Sequence, residues 1–296
     1  MKCLVTGATG FIGRALCPEL ASRGHEVLAI SRGVNAPACA DVLVMDLARG
    51  VPDSVRLEGV DAVIHLAGIA HQKAAAQQYQ QVNRDATLAL ARAAQAAGVR
   101  HFIFVSSVKA MGPAQDGHAR GEDDVFPTTD PYGQSKWQAE LGLQELAAGG
   151  EMAVTILRPA LVYGAAPKGN LALLDRGVDF GLPRPPEEGG RSMIGLPDLV
   201  DLLCQLATSP GSGTHTWIVS DGESYSSRTV HDALRARRGA PVASSWCPRW
   251  VWMAGARMLG ARDKLFGFEH YDNSALLAAT DWRPQSRLQD VLARKT

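Results

Sequence analysis

A tyrosine and a lysine stand four residues apart in the segment Tyr132-Gly133-Gln134-Ser135-Lys136. Residues four apart share one face of a helix, so the Lys136 ammonium is expected beside the Tyr132 phenol. A free phenol titrates near pH ~10 and is a poor proton shuttle at neutral pH, whereas a neighbouring ammonium stabilises the phenolate. We therefore predict that Tyr132 exchanges a proton with a substrate and that Lys136 lowers the Tyr132 pKa.

A tyrosine four residues before a lysine is common by chance, so the spacing alone does not predict a catalytic role. Two further motifs that precede this pair support such a role. Ser106-Ser107 ends an apolar run, and the Ser107 hydroxyl is expected to bond the same substrate oxygen as Tyr132. The turn Thr6-Gly7-Ala8-Thr9-Gly10-Phe11-Ile12-Gly13 lies between a predicted strand and a predicted helix. Its glycines let a pyrophosphate approach bare N–H groups at a helix N-terminus, which predicts a nucleotide site.

The end of the second predicted strand indicates which dinucleotide is bound. An NAD site places a carboxylate there for the ribose 2′-hydroxyl, whereas an arginine accommodates a 2′-phosphate. Ser31 and Arg32 occupy these positions, which favours NADP(H), with NAD(H) as the alternative and a solvated surface arginine as the ordinary interpretation. Asp46, after the third strand, either accepts a hydrogen bond from the adenine amine or is a loop aspartate.

Apolar runs alternate with helical patterns, which predicts an α/β fold: a Rossmann-type doubly wound parallel sheet with a smaller C-terminal α/β substrate domain. The predicted strands of the sheet are Cys3–Thr6, Glu26–Ser31, Val42–Met45, Ala62–Leu66, Phe102–Ser106 and Ala153–Leu157. The predicted helices between them are Ile12–Ser22, Gln77–Ala97 and Tyr132–Ala147.

Glycines and prolines are frequent from residue 165 to 190, which predicts a loop-rich lid or substrate region. A helix over 197–207 and a strand over 216–220 are expected to rejoin the sheet, and helices over 227–237 and 248–259 follow. The predicted dinucleotide-binding domain is 1–165 with 192–222, and the predicted substrate domain is 166–191 with 223–296.

The composition of the 296-residue chain excludes several classes of partner. Thirty basic and thirty acidic residues balance, so no nucleic-acid partner is predicted. Five scattered cysteines without a Cys-x-x-Cys motif argue against structural zinc and suit a cytoplasmic location. His65 and His71 lack metal-ligand spacing, so no metal is predicted.

The segment Trp246 to Phe268 contains too many charged residues to span a membrane. Its tryptophans and methionines are compatible with base stacking or a membrane-facing patch, but a domain core or a subunit contact is expected.

These motifs together resemble the extended short-chain dehydrogenase/reductase family, in its nucleotide-sugar epimerase, dehydratase and reductase branch. Further matching segments are His65-Leu66-Ala67-Gly68, Val82-Asn83-Arg84-Asp85-Ala86-Thr87, Leu157-Arg158-Pro159-Ala160-Leu161-Val162-Tyr163-Gly164 and Thr280-Asp281-Trp282-Arg283-Pro284. The resemblance covers essentially the whole chain and implies that Ser107, Tyr132 and Lys136 are the catalytic residues.

The resemblance also implies two sets of binding residues. The implied dinucleotide contacts are Gly7, Thr9, Gly10, Phe11, Ile12, Gly13, Ser31, Arg32, Asp46, Leu47, Leu66, Ala67, Gly68, Asn83, Tyr132, Lys136 and Pro159. The implied substrate contacts are Ser107, Lys109, Asn170 and Arg191, the last two at the diphosphate of a nucleotide sugar. Lys109 and Arg191 have ordinary alternatives as a solvated loop lysine and a surface ion pair.

The residues after Ser107 indicate which activity within this branch is expected. Family dehydratases have an Asp-Glu pair there, whereas this chain has Val108-Lys109, which argues against dehydration. The run from Val108 to Gly112 resembles bacterial 4-keto reductases. The expected function is therefore NADPH-dependent reduction of the 4-keto group of a UDP-4-keto-6-deoxy sugar of the HexNAc type. The alternative is an NAD-dependent UDP-hexose 4-epimerase, and the remote alternative is a non-catalytic NADP-binding sensor or assembly factor.

Family members usually pair through the helix after the fourth strand and the tyrosine-bearing helix. The first of these carries an alanine stripe that permits close packing, formed by Ala86, Ala89, Ala93 and Ala97. A homodimer is expected on this basis.

Overall fold

The computed structural model describes residues 1–33, 37–70, 74–113, 118–167, 169–209, 211–242, 244 and 246–293. Its strands are β1 (Lys2–Thr6), β2 (Glu26–Ser31), β3 (Asp41–Val44), β4 (Ala62–His65), β5 (His101–Val105), β6 (Ala153–Pro159), β7 (Leu161–Tyr163), β8 (Gly190–Gly195), β9 (Thr214–Val219), β10 (Ser224–Tyr225) and β11 (Phe268–Glu269).

Its helices are α1 (Gly13–Ser22), α2 (Ala76–Tyr79), α3 (Ala86–Ala96), α4 (Pro131–Ala148), α5 (Gly169–Asp179), α6 (Leu196–Thr208), α7 (Ser227–Arg237), α8 (Arg249–Met258), α9 (Arg262–Phe266), α10 (Ser274–Ala279) and α11 (Leu288–Ala293). A π-helical turn, Gln80–Asp85, joins α2 to α3, and 3₁₀ turns cover Val55–Leu57 and Val108–Met111.

Among the described residues, the central sheet has seven strands in the order β3-β2-β1-β4-β5-β6-β9, as predicted for a doubly wound fold. Val5 of β1 lies opposite Ala29 of β2 on one side and Ile64 of β4 on the other, in parallel register. The strand order reverses between β1 and β4, and the carboxyl ends of parallel strands open a crevice at such a point. The six strands predicted for this sheet lie within two residues of their expected ends.

Burial explains why the central strands read as almost continuous apolar runs. Every residue of β4, β5 and β6 is buried. Phe102, Val154 and Ile156 join Ala91 of α3 and Leu143 of α4 in one hydrophobic cluster. A parallel sheet covered on both faces has no solvent-facing side, so its inner strands lack alternating polar residues.

The chain divides into two compact units. The first comprises Met1–Pro113, Asp124–Pro159 and Leu199–Ile218, and the second comprises Ala114–Asp123, Ala160–Asp198 and Val219–Thr296. The second unit contains a small sheet in which β7, β10 and β11 all pair with β8. The assignment of these units to dinucleotide and substrate stays a prediction.

The segment from 165 to 190 is less loop-like than predicted, because it contains α5. Leu171, Leu174 and Val178 of this helix are buried in the hydrophobic cluster of the second unit. Their spacing of three and four residues marks one helical face, a signal that the many surrounding glycines and prolines obscured.

The alanine stripe expected to support a homodimer is partly used within the first unit. Ala86 is buried, and Ala93 and Ala97 pack against the hydrophobic cluster of that unit. Small side chains here let α3 approach its own sheet closely. The homodimer therefore stays a prediction, and sedimentation of the purified protein at micromolar concentration tests it.

The tryptophan-rich segment of the second unit agrees only partly with its prediction. Trp246, Trp250 and Met258 are exposed and so lie outside a domain core, whereas Trp252 and Met253 are half-buried. The other expectation, a subunit contact, stays a prediction. Among the described residues, no helix is both long enough and apolar enough to cross a membrane.

Candidate active site

The turn between β1 and α1 has no space for side chains at two of its glycines. Gly7 has a φ of +68°, and a Cβ built on it would lie 2.9 Å from the backbone nitrogen of Ala67. A Cβ on Gly13 would overlap the carbonyl oxygen of Gly7. The residue before α1, Ile12, offers no side-chain acceptor to the first amides of the helix. A glycine-lined backbone at the positive end of a helix dipole fits the diphosphate of a dinucleotide.

We expect Gly13→Ala to weaken dinucleotide binding roughly tenfold or more, about 1.4 kcal/mol. The new Cβ would meet backbone atoms of Gly7 and Ala8, which cannot move without opening the turn. Gly50→Ala is the matched control, because a Cβ there meets nothing within 4 Å. Titration of both variants with NADP⁺ and NAD⁺ measures the effect, and equal affinities would contradict the assigned role of the turn.

The end of β2 carries a serine and an arginine in place of a carboxylate. The buried Ser31 hydroxyl accepts a hydrogen bond from the Gly33 amide at 3.3 Å, whereas the Arg32 side chain is exposed. Asp46, after the neighbouring β3, accepts a hydrogen bond from the Ala48 amide of its own loop at 3.1 Å. The other predicted dinucleotide contacts at the ends of strands are Leu47 after β3, Leu66, Ala67 and Gly68 after β4, and Pro159 ending β6.

Asn83 connects the loop after β4 to the start of α4. Its Oδ1 accepts a hydrogen bond from the Ile69 amide at 2.7 Å, and its Nδ2 donates to the Ile69 carbonyl at 3.0 Å. The same Nδ2 donates to Ser135 Oγ at 3.0 Å, and Ser135 in turn donates to the Tyr132 carbonyl at 2.8 Å. Asn83 is fully buried and lies in the π-helical turn, a feature often found at functional sites. It thus supports the backbone that carries Tyr132.

His65 belongs to a buried hydrogen-bond chain rather than to a metal site. Thr87 Oγ1 donates to the Asn83 carbonyl at 2.8 Å, so it accepts from His65 Nε2 at 2.8 Å. The other ring nitrogen, Nδ1, then accepts from Thr6 Oγ1 at 2.7 Å. Burial, together with the nearby Lys136 charge, lowers the His65 pKa to about 3, so the ring stays neutral.

No cluster of three or more His, Cys, Asp or Glu among the described residues could hold a metal ion. His71, the other histidine considered in the sequence, lies outside the described residues.

Ser107 and Tyr132 are brought together by the contact between a 3₁₀ turn and the first turn of α4. Ser107 precedes the 3₁₀ turn, where its Oγ accepts a hydrogen bond from the Lys109 amide at 3.2 Å. The Ser107 hydroxyl lies near enough to the Tyr132 phenol to lower the Tyr132 pKa. Gly133 permits this approach, because a Cβ there would overlap the Lys109 carbonyl oxygen. The Asp130 carboxylate caps α4 by accepting a hydrogen bond from the Gly133 amide at 3.2 Å.

Lys136 follows Tyr132 by one helical turn and is buried. Its Nζ donates to the Val105 carbonyl at 2.9 Å and lies 4.5 Å from the centre of the Phe104 ring. A Cβ on Gly68 would lie 3.6 Å from the same nitrogen. The predicted catalytic residues therefore share a face with the loops after β4 and β5.

The pKa of Tyr132 moves in the opposite direction to the one predicted. Burial raises it to about 12, because apolar surroundings disfavour the phenolate, and the hydrogen bond from Ser107 offsets only part of this. Burial also lowers the Lys136 pKa to about 8, although the Glu140 carboxylate counteracts it. Within the chain alone, desolvation therefore sets the direction of both pKa shifts.

A buried ion pair behind Lys136 was not predicted from the sequence. Glu140 and Arg158 are both buried, and Arg158 Nη2 donates to Glu140 Oε2 at 2.7 Å while its Nε donates to the same oxygen at 3.1 Å. The Ser106 hydroxyl donates to the other carboxylate oxygen. Glu140 lies one turn beyond Lys136 on the helical face that carries Tyr132, and this spacing was the available signal.

The predicted substrate contacts are divided between the two units. Lys109 lies in the first unit with an exposed side chain, and Asn170 is exposed in α5 of the second. Arg191 is half-buried on β8, where its Nη2 donates to the Asp263 carbonyl at 3.0 Å and its Nη1 lies 3.8 Å from Glu269 Oε2. Their roles at a diphosphate stay predictions.

The parallel sheet, the glycine turn and the Ser107, Tyr132 and Lys136 constellation define a Rossmann-fold oxidoreductase of the short-chain dehydrogenase/reductase type. Comparison with known families specifies this class further. The model described as "NAD dependent epimerase/dehydratase family" matches residues 3–176. The chain belongs to this family, which confirms the resemblance inferred from its motifs.

Individual relatives extend the similarity over nearly the whole chain. A UDP-glucose 4-epimerase from Vibrio cholerae is 30% identical over 301 residues, covering 97% of this chain and 92% of that protein. A dTDP-6-deoxy-L-talose 4-dehydrogenase (NAD(P)(+)) from Kitasatospora kifunensis is 28% identical over 263 residues, covering 83% and 82% of the two chains. Among solved structures, MoeE5 in complex with UDP-glucuronic acid and NAD has a TM-score of 0.81 at 25% identity, covering 100% of this chain and 97% of that one.

Proposed function

We propose that this protein catalyses oxidation and reduction at C4 of a nucleotide sugar, in the manner of a UDP-hexose 4-epimerase. The observation that carries the proposal is the placement of the Ser107 hydroxyl beside the Tyr132 phenol, where it acts on the Tyr132 pKa, with Lys136 one helical turn further along α4. Two hydroxyls held together can bond one oxygen that alternates between alcohol and carbonyl. The Vibrio cholerae UDP-glucose 4-epimerase, similar over 97% of the chain, supports epimerisation over the one-way reduction expected from the sequence.

Each catalytic side chain has a separate task in this reaction. Tyr132 takes the proton from the C4 hydroxyl during oxidation and returns it to the C4 oxygen during reduction. Ser107 donates a hydrogen bond to that oxygen and keeps it in reach of the phenol. Lys136 supplies positive charge one turn away, which lowers the free energy of the phenolate form of Tyr132. When bound, the nicotinamide dinucleotide accepts and returns the hydride.

A second candidate is NADPH-dependent reduction of a 4-keto nucleotide sugar, and the end of β2 favours it. Ser31 and Arg32 end β2 where NAD sites carry a carboxylate. The proposed substrate contacts for either reaction are Lys109, Asn170 and Arg191.

Purified protein distinguishes the two candidates. For an epimerase, we expect co-purified dinucleotide and conversion of UDP-glucose to UDP-galactose without added cofactor. Stoichiometric NADPH oxidation by a UDP-4-keto-6-deoxy sugar, with no interconversion of UDP-hexoses, would overturn epimerisation in favour of reduction. Inactivity on both substrate classes, with dinucleotide bound, would contradict C4 chemistry on UDP-sugars altogether.

The preference between the two dinucleotides has its own test. We expect Arg32→Ala to weaken NADP⁺ binding about tenfold and to leave NAD⁺ binding nearly unchanged, because only NADP⁺ has a 2′-phosphate. Arg92→Ala, at an exposed arginine of α3, is the control. Equal losses for both dinucleotides, or no loss for either, would contradict a 2′-phosphate contact at Arg32.

A further inference from the structure

An exposed apolar surface lies on α8 and its flanking residues in the second unit. We name Trp246, Trp250, Val251, Met258 and Leu259 the α8 patch. Trp250 is 72% exposed, Met258 84%, Leu259 76% and Trp246 70%. A surface helix normally turns polar residues outward, whereas Trp250, Ala254 and Met258 place an apolar stripe on the exposed face of α8.

The α8 patch rests on packed structure. On the inner side of α8, Ala256 is buried and the Trp252 ring packs edge-on against the Phe266 ring of α9, with 6.3 Å between ring centres. The Ser227 hydroxyl of α7 binds the Leu265 carbonyl at 2.6 Å and holds α9 in turn. The exposed tryptophan of α8 is therefore presented by a supported helix.

Basic residues lie next to the α8 patch along the chain. Between residues 246 and 264 the chain has four basic residues and one acidic residue, Asp263, although the whole chain is neutral. Arg249 pairs with Glu188, whereas Arg257, Arg262 and Lys264 are exposed and make no ion pair with an acid in the part of the chain that the structure describes. The surface is thus both apolar and positively charged.

We propose that the α8 patch binds the surface of a lipid bilayer with anionic headgroups. Exposed tryptophan and leucine beside arginine and lysine are the composition of helices that lie in a membrane interface. The tryptophans would enter the headgroup region, and the cations would face the phosphates of the lipid. α8 has ten residues and would lie on the bilayer without spanning it.

The charges argue against a second copy of this chain as the occupant. A twofold contact places the same surface on both partners, so the surface with Arg257, Arg262 and Lys264 would meet an equally cationic surface. Like charges at such a contact oppose association, whereas anionic headgroups compensate them. The inference concerns a surface distinct from the catalytic residues, so it stands or falls separately from the proposed function.

Co-sedimentation of the full chain with vesicles tests the proposal. We expect binding to phosphatidylcholine vesicles that contain phosphatidylglycerol, little binding to phosphatidylcholine alone, and loss of binding as salt is raised. Trp250→Gln with Met258→Gln should reduce binding at least tenfold, and Arg257→Gln with Lys264→Gln about tenfold or more.

The matched control is Phe180→Gln, because Phe180 is 87% exposed in the same unit but lies outside the α8 patch. Thermal unfolding and dinucleotide binding should be unchanged in all variants. Three results would overturn the proposal: equal binding to both vesicle types, patch variants that bind like the wild type, or no binding at all. A wild-type dimer that Trp250→Gln with Met258→Gln converts to monomer would also overturn it, in favour of a second copy.

Discussion

Replacing Tyr132 with phenylalanine is expected to lower the turnover number by about 10²- to 10⁴-fold, the usual contribution of a positioned proton donor. The variant keeps the aromatic ring and loses only the hydroxyl that lies beside Ser107. Dinucleotide binding should change little, because the glycine turn and the strand ends are intact. Turnover is measured in whichever of the two sugar-nucleotide assays the wild type supports.

Tyr79→Phe is the matched control for this prediction. The Tyr79 ring lies 6.2 Å from the Tyr132 ring, so the control removes a hydroxyl from the same neighbourhood. The turnover of Tyr79→Phe should stay within about threefold of the wild type, because Tyr79 does not lie on the face of α4 that carries Tyr132 and Lys136. Comparable activity in the Tyr132→Phe enzyme and the wild type would refute the assigned proton donor.

Replacing Glu140 with leucine is expected to reduce the free energy of unfolding by about 3–5 kcal/mol, because it leaves the buried Arg158 guanidinium without its carboxylate. Arg158 and the Ser106 hydroxyl both donate to this carboxylate. Urea unfolding of the wild type and the variant measures the loss. A change below about 1 kcal/mol would show that the pair contributes little.

The double variant Glu140→Leu with Arg158→Met separates charge burial from packing. It should recover most of the lost stability, because the Arg158 guanidinium is no longer buried without a carboxylate. Lys136 would lose the carboxylate that raises its pKa, so its pKa should fall further below about 8. The alkaline limb of the rate profile should then move to lower pH in the folded double variant. An unchanged profile would limit Glu140 to a structural role.

Local sequence signals were sufficient for the sheet, the glycine turn and the tyrosine-bearing helix. β2 has its predicted bounds, and α4 begins one residue before its expected start, at Pro131, where Asp130 caps the helix. Strand hydrophobicity, turn glycines and caps act over a few residues, so they are visible in the chain without its fold. The same signals were weaker around α5, where glycine and proline masked a helical face.

Local sequence signals could not predict the burial and the charge interactions of the candidate active site. The sign of the Tyr132 pKa shift depends on how much water reaches the phenol, and the partner of the α4 residue Glu140 lies 18 residues away on β6. The exposure of Trp250 likewise depends on what α8 packs against.

The amino-acid sequence by itself determined the class of fold, the family and the three residues proposed for catalysis, because each depends on residue types at short spacing. The tertiary structure alone decided the Glu140–Arg158 pair, the direction of the Tyr132 pKa and the exposed α8 patch. These depend on desolvation and on contacts between distant segments, and such quantities exist only once the chain has folded.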